Sequence, residues 1–220
     1  MKQQAIQTKQ NASRRWPAIH GQSTYNFVPA PPELTVLRTH ISTLEERIEH
    51  QAAMIESLAE KANHDSLTGL YNRRGMEDAL AKAIENFNRY GHEGALMMFD
   101  LNGFKQVNDV YGHAAGDALL RHVADILRQN SRGTDSLCRL GGDEFMVFLV
   151  GAGLSQALIM ARRLRMALEH QPVNYDGNSL NANISVGIAT LEEAPSLPEL
   201  IELADSRMYR LKQALKSLRA

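Results

Sequence analysis

A single cysteine, Cys138, leaves no partner for an intramolecular disulfide and too few thiolates for a multi-cysteine zinc site, and it fits a reducing compartment. No run of about 18 consecutive apolar residues occurs, and Met1–Gln10 is polar where a secretory leader would be apolar. These absences lead us to expect a soluble, cytoplasmic chain with no membrane partner. An excess of one charge is missing too. The 24 Lys and Arg residues balance 25 Asp and Glu residues, a net charge of −1 that argues against nucleic acid or an anionic membrane as the main partner. A small, highly charged ligand stays compatible with that balance. What the chain does have is an ordinary globular composition, 44% hydrophobic and 22% charged over 220 residues, enough for one packed domain and an extension.

Residues 1–33 are rich in Gln, Asn, Ser and Pro, lack an apolar period, and end in Pro31-Pro32. We expect a disordered or partner-docking arm. The pattern then changes: Leu34, Leu37, Ile41, Leu44, Ile48, Gln51, Ile55, Leu58 and Ala62 alternate at three and four residues. With Leu34 at a, Ile dominates the a positions and Leu the d positions, the mixture that favours a parallel two-stranded coiled coil. Gln51 is then the polar core residue that sets register. Residues 34–62 are thus expected to form a coiled-coil stalk, and 63–220 a globular domain. An amphipathic helix lying on its own domain is the alternative, but it would carry a wider apolar stripe.

Within the globular part, apolar recurrence at three and four predicts helices at 73–90, 104–111, 114–130, 154–169 and 197–218. Short apolar or β-branched runs predict strands at 94–100, 136–140, 144–150 and 179–190, with Asp176-Gly177 closing a hairpin into the last one. Met97, Met98 and Met146 read as core filler, and Cys138 as a buried small residue of a hairpin strand.

Two segments carry unusual chemistry. The apolar run Ala95–Phe99 ends in Asp100, which places a carboxylate at the rim of a sheet, where ligand sites commonly lie. Asp100-Leu101-Asn102-Gly103 is not a calcium loop of the EF-hand type, because its glycine falls at position four rather than six. The second segment, Leu137–Phe148, holds two apolar runs around Gly141-Gly142, the mark of a tight hairpin. Beside the glycines stand Asp143 and Glu144, adjacent like charges that a strand disfavours on structural grounds.

Gly141–Phe145 spell Gly-Gly-Asp-Glu-Phe, and the chain here resembles the GGDEF family of diguanylate cyclases. Asp65–Arg74, Asp100–Asp109, Gly112-His113, Gly116-Asp117 and Ile184–Gly187 resemble the family's other motifs in order, so that the resemblance covers about residues 63–216. It implies an α+β, palm-like domain whose mostly antiparallel central sheet is flanked by helices, with each domain supplying half of a two-GTP site. The implied activity is condensation of two GTP into cyclic di-GMP by a homodimer joined through the stalk.

Carried over by position, Asp100, Asp143 and the carbonyl of Leu101 are implied to hold two Mg²⁺ or Mn²⁺ ions. Glu144 is implied to assist as ligand or proton acceptor. Asn108 and Asp117 resemble guanine readers, with His113 close to the same nucleotide. Phe104 and Lys105 correspond to a phosphate-cradling turn, Gly141 and Gly142 permit close approach to the phosphates, and Lys212 resembles a phosphate-binding lysine. The chain departs from the family at Lys216, where arginine is usual, and at Asn102, where aspartate is common. Arg132 and Asp135 match an Arg-x-x-Asp site that binds inhibitory product, with Arg163 implied to reach the ligand from a neighbouring domain; a surface ion pair in a turn is the bland alternative. Short stalk-bearing relatives also include some switched by a small regulatory protein on the stalk. A degenerate domain that only senses GTP or cyclic di-GMP, and an interaction protein acting through stalk and arm, are the competing functional classes. If the stalk pairs two chains, Ile48→Asp at a central a position splits the dimer, and analytical ultracentrifugation should report a monomer.

Overall fold

The computed structural model describes residues 32–217, so the expected arm lies outside the described residues except for Pro32 and Glu33. Those two open the first helix, α1 (Pro32–Asn63), slightly earlier than expected. Proline is tolerated in a first turn because its missing N–H would have had no intrahelical acceptor there. Two structural units divide the chain, one up to His50 and one over Gln51–Ala220. No helix among the described residues is long and apolar enough to cross a membrane.

The second unit contains the sheet. After the end of α1 come α2 (Arg73–Tyr90), β1 (Gly94–Leu101), α3 (Phe104–Tyr111), α4 (His113–Asn130), β2 (Ser136–Gly141), β3 (Glu144–Val150), α5 (Leu154–His170), β4 (Val173–Tyr175), β5 (Asn178–Leu180), β6 (Ile184–Thr190) and α6 (Leu197–Ser217). Helix α2 starts where the Asn72 side chain accepts the Gly75 N–H at 3.0 Å and stops at Gly91 in the left-handed region. The four-stranded sheet has the order β2-β3-β1-β6, with every neighbouring pair antiparallel. This is the expected α+β architecture.

One expectation is corrected. The single strand foreseen over 179–190 is two: β5 pairs with β4 as a separate hairpin, and β6 joins the main sheet. The hairpin turn itself is at Asp176-Gly177, where both residues have positive φ. Asn181–Asn183 break the run, and the Asn183 carbonyl accepts the Asn102 N–H at 2.7 Å, one pair beyond the β1–β6 ladder. Two asparagines favour such a break, because their side chains compete for backbone hydrogen bonds.

All eight residues of β1 are buried, since helices cover both faces of the sheet. Side chains alternate along a strand, so its residues sort by parity. Ala95, Met97, Phe99 and Leu101, with Phe145, Val147 and Leu149 of β3, pack against α4 and α5. Leu96 and Met98, with Met146 and Phe148, pack against α2 and α6, together with the buried Cys138. Burial pushes the Cys138 thiol up to about 12, consistent with inert packing. Asp100 and Glu144 continue the even parity and are direct cross-strand partners. Both carboxylates are therefore delivered to the α6 side.

Helix α6 lies against β6 at backbone distance, because Gly187 has no side chain: a Cβ there would run into the Ala204 carbonyl and the Met208 backbone. This close seating sets where the next turn of α6, with Lys212, meets the end of β1. An ion pair braces the middle of the same helix against the segment that precedes it. Arg207 binds both carboxylate oxygens of Glu193 at 2.8 and 3.0 Å and holds that carboxyl down at about 2. Its folded value is depressed, so this contribution to stability is present above the ordinary glutamate range and fades as pH falls towards 2.

Candidate active site

The rim that receives Asp100 and Glu144 is closed by three further pieces of chain. The β2–β3 turn brings Asp143, with Gly141 and Gly142 both at positive φ, a conformation that glycine adopts at no steric cost. The segment after β1 brings Gly103, also at positive φ, and the start of α3. Lys212 comes from α6. Together Leu101, Asn102, Phe104, Lys105, Asp143 and Lys212 line a cavity of about 500 Å³. Gln106 and Asp109 line it as well, although Asp109 had no role in the sequence reading.

Asp100 is the most enclosed charge here, at 5% exposure. Its Oδ2 accepts from Lys212 Nζ at 2.6 Å, while Oδ1 is buried with no hydrogen-bond partner. Burial first, and then the charge of Asp100, raise the Asp143 carboxyl above its ordinary value. Glu144 is raised by burial, then by Asp100, Asp143 and Asp205, and Lys212 pulls both groups back. A carboxyl with a raised folded pKa contributes stability while protonated and loses it as pH rises through that value. Near neutral pH these two groups therefore work against the fold, as groups held for binding or catalysis often do.

Among the described residues no three His, Cys, Asp or Glu side chains are gathered into a ready cation cage. The donors still suit a hard divalent ion. Asp100, Asp143 and Glu144 are oxygen donors beside one cavity, and the buried Oδ1 of Asp100 has no hydrogen-bond partner.

Asn108 and Asp117 are half-buried on the packed α3–α4 pair and do not line this cavity. Asn108 Oδ1 is buried and without a partner, and it fits only because Gly116 has no Cβ to strike it. His113 is exposed at the first turn of α4. The side chain of Lys216 lies outside the described residues. Asn102 accepts from the Ser185 hydroxyl at 2.9 Å, and its buried Nδ2 has no partner.

A second cavity, of about 270 Å³, is lined by Arg132, Asp135 and Arg163 with residues of β3 and α5. The bland ion pair between Arg132 and Asp135 is not what forms: Asp135 Oδ2 accepts the Arg132 backbone N–H at 2.8 Å, closing the turn. Arg163 donates to the Asn130 carbonyl and stands at the same cavity in the same chain, where the sequence reading brought it from a neighbouring domain. The packing of α5 beside α4 and the end of β3 places it there.

Sequence reasoning quoted Asp65 and Arg139 within motifs but gave them no role. Arg139 Nε and Nη2 donate to the Gly142 carbonyl at 3.0 and 2.8 Å, one peptide ahead of Asp143. Its Nη1 bonds both oxygens of Asp65 at 3.1 and 3.2 Å. Burial works to raise the Asp65 carboxyl, but bonds from the Thr68 hydroxyl and N–H and from Arg139 outweigh it and hold the group below its ordinary range. Backbone bonds of Tyr71 to Leu137 and Arg139 stitch this segment to β2, and the Asn72 side chain donates to the Ala62 and His64 carbonyls. The end of α1 is thus tied to the turn that carries Asp143. The available signal was an unpaired arginine beside a glycine turn, but its partner is 74 residues away, beyond any local spacing rule.

Residues 62–217 match the family model described as "Diguanylate cyclase, GGDEF domain". Diguanylate cyclase DgcP of Pseudomonas aeruginosa is 33% identical over 181 residues, covering 82% of this chain and 27% of that protein. The chain spans less than half the length of the first curated relatives it matches, from 26% to 44%. Among solved structures, a sensory box/GGDEF family protein from Caulobacter crescentus matches with a TM-score of 0.66 at 37% identity, covering 69% of this chain and 99% of that one. Diguanylate cyclase SiaD of Pseudomonas aeruginosa, in complex with its activator SiaC, matches with a TM-score of 0.68 at 28% identity, covering 83% of this chain and 70% of that one.

Arg139→Ala frees the Gly142 carbonyl and leaves Asp65 unpaired in a half-buried site. A loss of roughly 1–3 kcal/mol in a urea melt is expected. Arg139→Lys should restore only part of it, because an ammonium cannot bridge both partners as the planar fork does.

Proposed function

The chain belongs to the GGDEF diguanylate cyclase family, and from that premise we propose that it condenses two GTP into cyclic di-GMP as a homodimer, releasing two pyrophosphates. The observation that carries this reading is the convergence of Asp100, Asp143 and Glu144 on one rim, beside a cavity that Lys105 and Lys212 line. Carboxylates and ammonium groups gathered at one cavity suit a metal-bound triphosphate.

Asp100, Asp143 and the Leu101 carbonyl would hold two Mg²⁺ or Mn²⁺ ions, with Glu144 as a further ligand or the acceptor of the 3′-hydroxyl proton. When bound, the cations supply Lewis-acid stabilisation of charge on the α-phosphate and activate the attacking hydroxyl. Phe104 and Lys105 receive the terminal phosphates through backbone N–H groups and an ammonium, and Lys212 and Lys216 add charge from α6. Gly141 and Gly142 allow the turn to approach the phosphate chain. Asn108 and Asp117 read the guanine edge, a carboxylate accepting from its N1 and N2 donors, with His113 nearby. In each linkage the 3′-oxygen of one GTP bonds to the α-phosphorus of the other, and the bond to pyrophosphate breaks. Two such steps close the ring, so two domains must face one another.

The stalk reading has support in α1. Its seam residues Leu34, Leu37, Ile41, Leu44, Ile48, Ile55 and Leu58 are each 45–67% exposed in the single chain, so a second α1 would bury them. A short tether of this kind raises the local concentration of the second domain to about the millimolar range. A small regulatory protein bound on α1 would act through the same helix, as suits a relative solved with its activator. The chemistry belongs in the cytoplasm, where GTP is made.

Incubation of the purified chain with GTP and Mg²⁺ tests the proposal directly; GTP bound without cyclic di-GMP would mark a sensing module instead. Asp143→Ala should lower turnover by roughly 100-fold or more while circular dichroism stays unchanged. The cavity at Arg132, Asp135 and Arg163 is the proposed inhibitory product site, where guanidinium and carboxylate groups can bond phosphate and guanine edges. Arg132→Ala should therefore relieve product inhibition with the initial rate retained, and calorimetry should show weakened cyclic di-GMP binding.

A further inference from the structure

Asp100 meets a lysine where the proposed reaction needs a metal. The carboxylate is buried, its Oδ2 is 2.6 Å from Lys212 Nζ, and its Oδ1 has no partner at all. Among the described residues, Lys212 makes the one ion pair to any of Asp100, Asp143 and Glu144. The backbone beneath it is not free to shift, because α6 rests on β6 at Gly187. The side chain is free: it lines the cavity shared with Lys105 and Asp143, and it is half-exposed.

We infer that Lys212 stands in for the divalent cation in the nucleotide-free protein, so that metal and triphosphate are taken up cooperatively, each favouring the lysine's move from Asp100 to phosphate. The inference rests on the reading of this cavity as a metal-dependent GTP site. An ammonium is a compact point charge on a flexible stem, able to sit on one carboxylate oxygen and leave it. A divalent ion on either oxygen of this carboxylate would lie a few ångströms from the ammonium, and repulsion between a double and a single positive charge at that range favours the lysine's departure. Metal arriving alone must displace the lysine with no new partner to offer it. Triphosphate in the same cavity supplies that partner, which makes the two binding free energies favourable to each other, and by linkage the coupling is reciprocal.

The test is Mn²⁺ binding to the full chain without nucleotide, read from the free-ion electron paramagnetic resonance signal. Lys212→Met should bind Mn²⁺ roughly tenfold more tightly than the unsubstituted chain, and Lys212→Arg, which can renew the pair, should stay close to it. Adding a GTP analogue with a methylene group between the α- and β-phosphorus should tighten Mn²⁺ binding by a larger factor in the unsubstituted chain than in Lys212→Met. A lysine devoted to phosphate alone predicts no change in nucleotide-free Mn²⁺ affinity on Lys212→Met, and that result overturns the inference. Asp143→Asn separates the two readings. If it weakens Mn²⁺ binding while Lys212→Met does not tighten it, the site reading stands and the lysine inference falls; if it leaves Mn²⁺ binding unchanged, both fall.

Discussion

A carboxylate buried at the end of a fully covered strand must find a counter-charge, and the arrangement of this domain follows from that demand at Asp100. Strand β1 is covered on both faces, so its last polar residue cannot turn to solvent. Isolated, such an ion would cost several kcal/mol. Lys212 meets one of its oxygens, and the other is buried without a hydrogen-bond partner. Everything that seats α6 on the sheet, from the bare Cα of Gly187 to the Arg207–Glu193 pair, helps to bring that lysine to its position.

The neighbouring carboxylates pose the opposite problem. Burial, and then the charge of Asp100, raises the carboxyls of Asp143 and Glu144 above their ordinary values, and the turn that carries them has two exposed glycines. Its rigidity is supplied from outside. Arg139 holds the Gly142 carbonyl, Asp65 holds Arg139, and the Tyr71 backbone holds β2. The last residues of α1 enter the same network through Asn72. A helix with an unburied apolar seam is therefore bonded, in a few steps, to the turn proposed to bear the chemistry.

The cavity at Arg132, Asp135 and Arg163 is lined from β3 and α5 and shares no lining residue with the one at Asp100. Asn108 and Asp117 line neither cavity, although Phe104, Lys105, Gln106 and Asp109 of α3 line the one at Asp143, which suits residues proposed to read a base extending away from the phosphates.

The sequence alone determined most of the elements. Periodicity located the helices and three strands of the main sheet to within a residue or two, because burial on one face or two leaves a repeat of 3.6 or 2 in the chain. The apolar run Ala95–Phe99 was already legible as a strand ending in the charge of Asp100. The break at Asn181–Asn183 was not, because β5 and β6 together have strand-like composition, and only the competition between two sheets divides them. Tertiary structure also decided the pairings: Lys212 with Asp100 across 112 residues, Arg139 with Asp65 across 74, and Arg163 beside Arg132 at one cavity. Such partners leave no trace in local spacing, since a long-range ion pair is selected by where helices and strands finally pack, and that is settled by the whole core at once.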